Sequence, residues 1–191
     1  MIAKLEERLN QIPQRITSEG FLRGTGIGNE VAFYIFDYPA EAELKMREYI
    51  TFLTTHLAKT HPALRIRHLN LFEFFIKTLE ARGFLERAYA KQKRDGDAAL
   101  IKSLAPQFEG QKLAAAFAAE VQPKETDLIL VSGVGSVFPV VRTHGLLAAL
   151  QPLMGHTPLL MFYPGVYDGQ YVRLFGKIKG GAYYRAFKLV P

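Results

Sequence analysis

Residues 130–147, "LVSGVGSVFPVVRTHGLL", decide how this chain is read. An apolar run stops at Ser132, a Gly-x-Gly-Ser turn follows, and a helix is expected to begin. Strand, glycine turn and helix are the parts of a phosphate cradle. A working P-loop also carries a lysine in G-x-x-x-x-G-K-[ST], which reaches the outer phosphates. Here Val137, Phe138 and Val140 fill the turn where that lysine belongs. Pro139 removes one of the early backbone N–H donors that an anion would use. Gly133 and Gly135 let the chain reverse without strain, and Ser136 is the expected N-cap. The stretch therefore reads as a capped strand-to-helix turn rather than a nucleotide pocket. Such turns, at the C-terminal ends of parallel strands, are where ligands and partners dock in open α/β sheets. That makes Arg142 and His144, just beyond the turn, candidates for meeting a partner or an anion.

Outward from this turn, the same grammar repeats. "DLILVSG" (127–133) is the third of four strands. "VAFYIFDY" (31–38) is a nearly continuous β-branched and aromatic run, the pattern of a strand buried on both faces. "LRIRHLN" (64–70) alternates, and "PLLMFYP" (158–164) is again continuous. Helices are predicted between them. Ile2, Leu5, Leu9 and Ile12 mark one over residues 1–17, with Pro13 weakening its end. Met46, Ile50, Leu53 and Leu57 mark another between Pro39 and Pro62. "LFEFFIKTLEARG" is a third, stopped by Gly83. Residues 84–121 read as a helical insertion in two or three pieces, broken at "KQKRDGD" (91–97). At the end, "VRLFGKI" and "AYYRAFKLV" flank Lys179-Gly180-Gly181 and read as a hairpin turning there. Alternating strands and helices imply a single α/β domain over 1–191. It should have three α/β/α layers, a mostly parallel sheet and an antiparallel C-terminal hairpin.

Composition bounds the function. The chain has 191 residues, about half of them apolar, with 14 Phe, 9 Tyr and no Trp, enough for one substantial core. The absence of cysteine excludes disulfides, thiolate metal sites and a cysteine nucleophile. No apolar window is long enough to span a membrane, and a cytoplasmic location is expected. The net charge of +6 and pI near 9.5 serve solubility, or an acidic or nucleic-acid partner.

Other chemistry-bearing signals are weak. Gly24, Gly26 and Gly28 form a GxGxG string, but they precede the first strong strand, so the string reads as a lead-in loop. Asp37 ends a strand as a magnesium-binding aspartate would. Without a phosphate lysine it reads as a cap for the Pro39 helix. The five histidines show no metal-ligand spacing, and Ser132 and Ser136 lack the flanks of a nucleophile elbow. No catalytic residue, cofactor or metal is expected. The most distinctive segment runs from Gly165 to the end. It holds five Lys or Arg against one acid, Asp168, with Tyr167, Tyr171, Phe175, Tyr183, Tyr184 and Phe187 interleaved. Aromatics and cations can stack bases and hold phosphates. They can equally pack inward while cations guard an edge strand, or anchor a protein interface.

"EVAFYIFDYP", the glycine turn, "PLLMFYPGVYDGQYVRLFG" and "YYRAFKLVP" together resemble BrxB, the B-component family of BREX bacteriophage-exclusion systems. The resemblance runs from about residue 20 to the C-terminus and is weakest over 84–121. It implies a cytoplasmic component of a prokaryotic phage-defence island with no assigned reaction. It also implies an assembly role, with PglZ, the alkaline-phosphatase-like BREX component, as the expected partner. The candidate partner-binding residues are Arg142, His144, Tyr167, Asp168, Arg173, Tyr184 and Arg185. A nucleic-acid-binding accessory role through the basic aromatic hairpin is the alternative, and a cryptic nucleotide site on Asp37, Gly133 and Ser136 is the third.

Overall fold

A computed structural model describes residues 2–24, 32–108, 110–182 and 186–191. Tyr184 and Arg185, like Gly26 and Gly28, lie outside them. Helix α1 (Ile2–Ile16) carries Pro13 internally and buries Leu5, Leu9, Ile12 and Ile16. A short α2 (Glu19–Leu22) leads to strand β1 (Phe33–Tyr38) and helix α3 (Glu43–Thr60). Strand β2 (Ile66–Asn70) runs directly into α4 (Leu71–Ala81). Asn70 caps α4, its side chain accepting from the Phe72 amide at 3.0 Å and the Glu73 amide at 3.4 Å. Helices α5 (Leu85–Leu104) and α6 (Gly110–Val121) follow, α5 being broken at Gly96, where φ is 81°. Then come β3 (Leu128–Ser132), α7 (Thr143–Met154), β4 (Leu159–Tyr167), β5 (Tyr171–Leu174), β6 (Ile178–Ala182) and β7 (Ala186–Lys188).

Five parallel strands stand in the order β2-β3-β4-β1-β7. Alternate side chains of each strand feed opposite layers. Phe36, Leu128, Leu130, Leu160 and Phe162 meet α1 and α3 on one face. Phe33, Ile35, Ile129, Val131, Leu159 and Met161 meet α4 to α7 on the other. This is the three-layer α/β/α arrangement expected. Residues 84–121 share the second layer's core through Leu104, Phe108, Leu113, Phe117 and Val121. Among the described residues no helix is long and apolar enough to cross a membrane.

Two local expectations are corrected. The helix after the glycine turn begins at Thr143, so Ser136 is not its cap. Gly135–Val137 forms one 3-10 turn, and Phe138 leaves it with ψ 140°. The cause is Pro139, whose ring drives the preceding residue out of the α region. The hairpin is present, but it turns at Phe175–Lys177, with φ 55° at Phe175 and 70° at Gly176, and the Lys177 amide closes on the Leu174 carbonyl at 3.1 Å. Gly180 and Gly181 lie inside β6, which pairs antiparallel with β5. At Gly180 a Cβ would stand 2.7 Å from Val172 Cγ2, so glycine serves close strand packing there. β7 returns instead to pair parallel with β1.

Candidate docking surface at the carboxyl end of the sheet

The crossover after β1 uses α3 on one face, and the crossover after β3 uses α7 on the other. Between the carboxyl ends of β1 and β4 this leaves the crevice where open α/β sheets usually place a site. The crevice is a cavity of about 330 Å³ lined by Arg8, Asp37, Pro39, Gly165, Val166 and Phe175, among others.

Asp37 is its chemical centre and is 6% exposed. Its Oδ1 accepts from Arg8 Nη2 at 2.7 Å. Its Oδ2 accepts from the Tyr167 amide at 3.0 Å and from Lys188 Nζ at 2.9 Å. The Arg8 guanidinium also donates to the Asp37 and Val190 carbonyls, at 2.8 and 2.9 Å, and lies 4.6 Å from the Phe36 ring centre. Asp37 makes no helix cap, since Pro39 holds the N-cap position of the following turn without a side-chain bond. Its carboxylate is instead an ionic tie joining β1 to α1, β4 and β7. Both oxygens are occupied by protein donors, an arrangement that suits support rather than proton transfer.

The glycine turn is filled in the same way. A Cβ on Gly133, where φ is +71°, would meet Asn70 Oδ1 at 2.2 Å. On Gly135 it would meet the Phe175 ring at 2.9 Å and the Pro164 ring at 3.0 Å. The Ser136 amide closes on the Gly133 carbonyl at 3.2 Å. The glycines thus admit the α4 cap on one side and the hairpin tip on the other.

His68 Nε2 lies 2.8 Å from Ser132 Oγ, the spacing of a base and a nucleophile. Burial lowers the His68 pKa, against a smaller opposing effect of the Glu73 charge. No described residue hydrogen-bonds the other ring nitrogen, and Ser132 is 8% exposed. The pair works as a part-buried polar link between β2 and β3, Ser132 being buried and His68 exposed.

The predicted site residues separate into groups. Tyr167 is fully buried, not presented to a partner as the sequence suggested. Its hydroxyl donates to the Ala186 carbonyl at 2.6 Å, with the Gly169 carbonyl 3.1 Å away. Burial and the neighbouring Asp168 charge push its pKa up to about 12. Asp168 is a turn residue whose Oδ1 accepts from the Tyr171 amide at 2.7 Å and the Gln170 amide at 3.0 Å, which lowers its pKa. Arg173 is exposed on β5. Arg142 and His144 line a different groove, of about 530 Å³, with Lys102 and Pro139, and no hairpin residue lines it. The exposed apolar set Val166, Tyr171, Phe175 and Ile178, between 36% and 49% exposed, is the hairpin's main surface feature. Of these, Val166 and Ile178 were missed in the sequence. Among the described residues no cluster of His, Asp or Glu is arranged to hold a metal.

Fold and surface together define a small three-layer α/β protein whose Asp37 carboxylate is tied up internally and whose C-terminal hairpin carries exposed apolar residues. The family described as BREX protein BrxB matches residues 67–189. The BREX protein BrxB of Escherichia coli O9:H4 (strain HS) is 43% identical over 187 residues, covering 98% of this chain and 92% of the relative. That of Bacillus cereus (strain H3081.97) is 36% identical over 191 residues, covering 98% of each. No solved structure matches the chain. The chain belongs to the BrxB family of BREX proteins.

Proposed function

We propose that the chain is a non-enzymatic adaptor of the BREX phage-exclusion machinery, acting in the cytoplasm and holding a larger BREX protein, with a PglZ-like component as the first partner to test. The observation that carries this reading is the hairpin. Val166, Tyr171, Phe175 and Ile178 are each exposed on a short antiparallel appendage of a parallel sheet, Val166 and Tyr171 on the face of Arg173 and Ile178 opposite Leu174. Exposed apolar groups grouped in this way mark interaction surfaces. The saturated Asp37 and the packed glycine turn support the reading, because each of these catalytic-looking signals has a packing role. Co-expression with the PglZ-like protein should give a complex that survives gel filtration, and Tyr171→Ser with Ile178→Ser should dissolve it. Separate elution of the unaltered proteins at micromolar concentration defeats the reading.

A second reading rests on Arg173, Lys177 and Lys179 beside Tyr171, which together could hold a nucleic-acid backbone and stack a base. Phosphate-driven binding falls steeply with salt, so a duplex and single-strand DNA titration at two salt concentrations tests it. No binding at low salt removes it.

A further inference from the structure

The hairpin carries a local conflict. Val166 pairs with Arg173 across β4 and β5, and Arg173 pairs with Lys179 across β5 and β6. Directly paired residues of antiparallel strands share a face, so the three form one row. Two cations stand opposite one another in it, and like charges directly opposite destabilise a sheet. Among the described residues neither cation makes an ion pair: residues 171–182 contain no Asp or Glu, and Asp168, held in its own turn by the Tyr171 and Gln170 amides, attracts Arg173 only from a distance. Guarding an exposed strand edge explains a lysine on β6. It does not explain Arg173, because β5 is the inner strand between β4 and β6.

We propose that this face of the hairpin, Arg173 and Lys179 flanked by Val166 and Tyr171, binds an acidic segment of a protein partner with an apolar residue at its centre. A partner's carboxylates would relieve the repulsion that the free hairpin keeps, and Val166 and Tyr171 would cover the apolar residue. A protein segment fits better than nucleic acid because the row begins on exposed aliphatic Val166, which offers a contact to an apolar side chain and none to a phosphate. Among the described hairpin residues, the Phe175 ring is packed close to Gly135, which leaves Tyr171 as the exposed aromatic able to stack. The inference rests on the adaptor reading for there being a protein partner, but its test does not use that partner.

The probe is a fluorescent peptide of about fifteen residues, with Glu repeated around a central Leu-Val pair, titrated by polarisation at low salt. Its companions are the same peptide with Gln for Glu and an oligothymidylate of similar length. The Glu peptide should bind, and Arg173→Glu or Lys179→Glu should weaken it about tenfold or more. Lys59→Glu, the same charge change on exposed α3, should cost less than about twofold. Lys179→Glu should also melt no lower than the unaltered protein, since it turns a like-charge pair into an opposite one. Failure of the Glu peptide to bind at about millimolar protein overturns the proposal. So does equal weakening by Lys59→Glu, or tighter binding of the Gln peptide or the oligothymidylate. If the peptide behaves as expected but no PglZ-like complex forms, the acidic surface stands and the named partner falls.

Discussion

The crevice at Asp37 and the face of the hairpin lie at the same end of the sheet and treat charge in opposite ways. At Asp37 a buried carboxylate meets two cations, and Arg8, Lys188 and the Tyr167 amide satisfy both its oxygens. On the hairpin, Arg173 and Lys179 face each other with no carboxylate between them, beside exposed Val166 and Tyr171. A polar group that is fully partnered inside the molecule holds the fold. Like charges set opposite one another, next to uncovered apolar surface, do not hold the fold, and it is on these that the proposed docking rests. The more catalytic-looking signal, a strand-end aspartate, is thus the structural one.

The largest expected effect breaks the structural half of this contrast. Asp37→Asn keeps the shape but leaves Arg8 and Lys188 uncompensated, with Arg8 side-chain exposure only 14%. Removing one partner of a buried ion pair usually costs about 3–5 kcal/mol, and Lys188, which reaches solvent, sets the expectation near 3. Urea unfolding measures it. A loss under about 1 kcal/mol would mean that Asp37 is not the tie described.

Next in size is Gly133→Ala. It places a side chain at φ +71° and drives a Cβ into Asn70 Oδ1. Backbone strain of about 1 kcal/mol and a weakened α4 cap of about 1 kcal/mol give roughly 2 kcal/mol together. In an Asn70→Ala background the collision and the cap are already gone. The same substitution should then cost only about 1 kcal/mol. Additive losses would show that Gly133 is needed for its backbone conformation alone.

Much of the fold was legible in the sequence, and the gaps have physical causes. The continuous apolar runs give the strands Phe33–Tyr38, Leu128–Ser132 and Leu159–Tyr167 because their residues are buried on both faces. Met46, Ile50, Leu53 and Leu57 form a buried helix stripe as their spacing predicts. The hairpin turn was misplaced because a Gly-Gly pair signals positive φ. Here Gly180 is required by Val172 across the strand, while Phe175, a residue that seldom adopts positive φ, takes the turn. The start of α7 was misplaced because a capping serine was weighed above the restriction that Pro139 puts on Phe138. The Asp37 tie was invisible because its partners stand 29, 130 and 151 residues away in the chain. The docking face was half visible. Its charges and aromatics showed in composition, but Val166 is an ordinary strand residue until the register sets it beside Arg173.

Two smaller effects sharpen the contrast. Unlike Asp37, His68 is exposed as a residue, but its imidazole is partly withdrawn from water against Ser132, its one hydrogen-bond partner among the described residues. Burial holds its pKa below the ordinary 6.5, so the folded protein releases that proton more readily than the unfolded chain. Between the two values the unfolded chain binds more protons, and stability rises with pH. The contribution of neutral His68 is therefore complete above the unfolded value and lost as pH falls from there through the folded one. Denaturant midpoints between about pH 5 and 8 should show this slope, and His68→Gln should flatten it. An unchanged slope would assign the titration elsewhere. On the hairpin, Tyr171→Ser and Ile178→Thr should each shift stability by no more than about 0.5 kcal/mol, as surface changes do. If either costs as much as Gly133→Ala, those side chains belong to the fold, and the division between a tied-off crevice and an open docking face disappears.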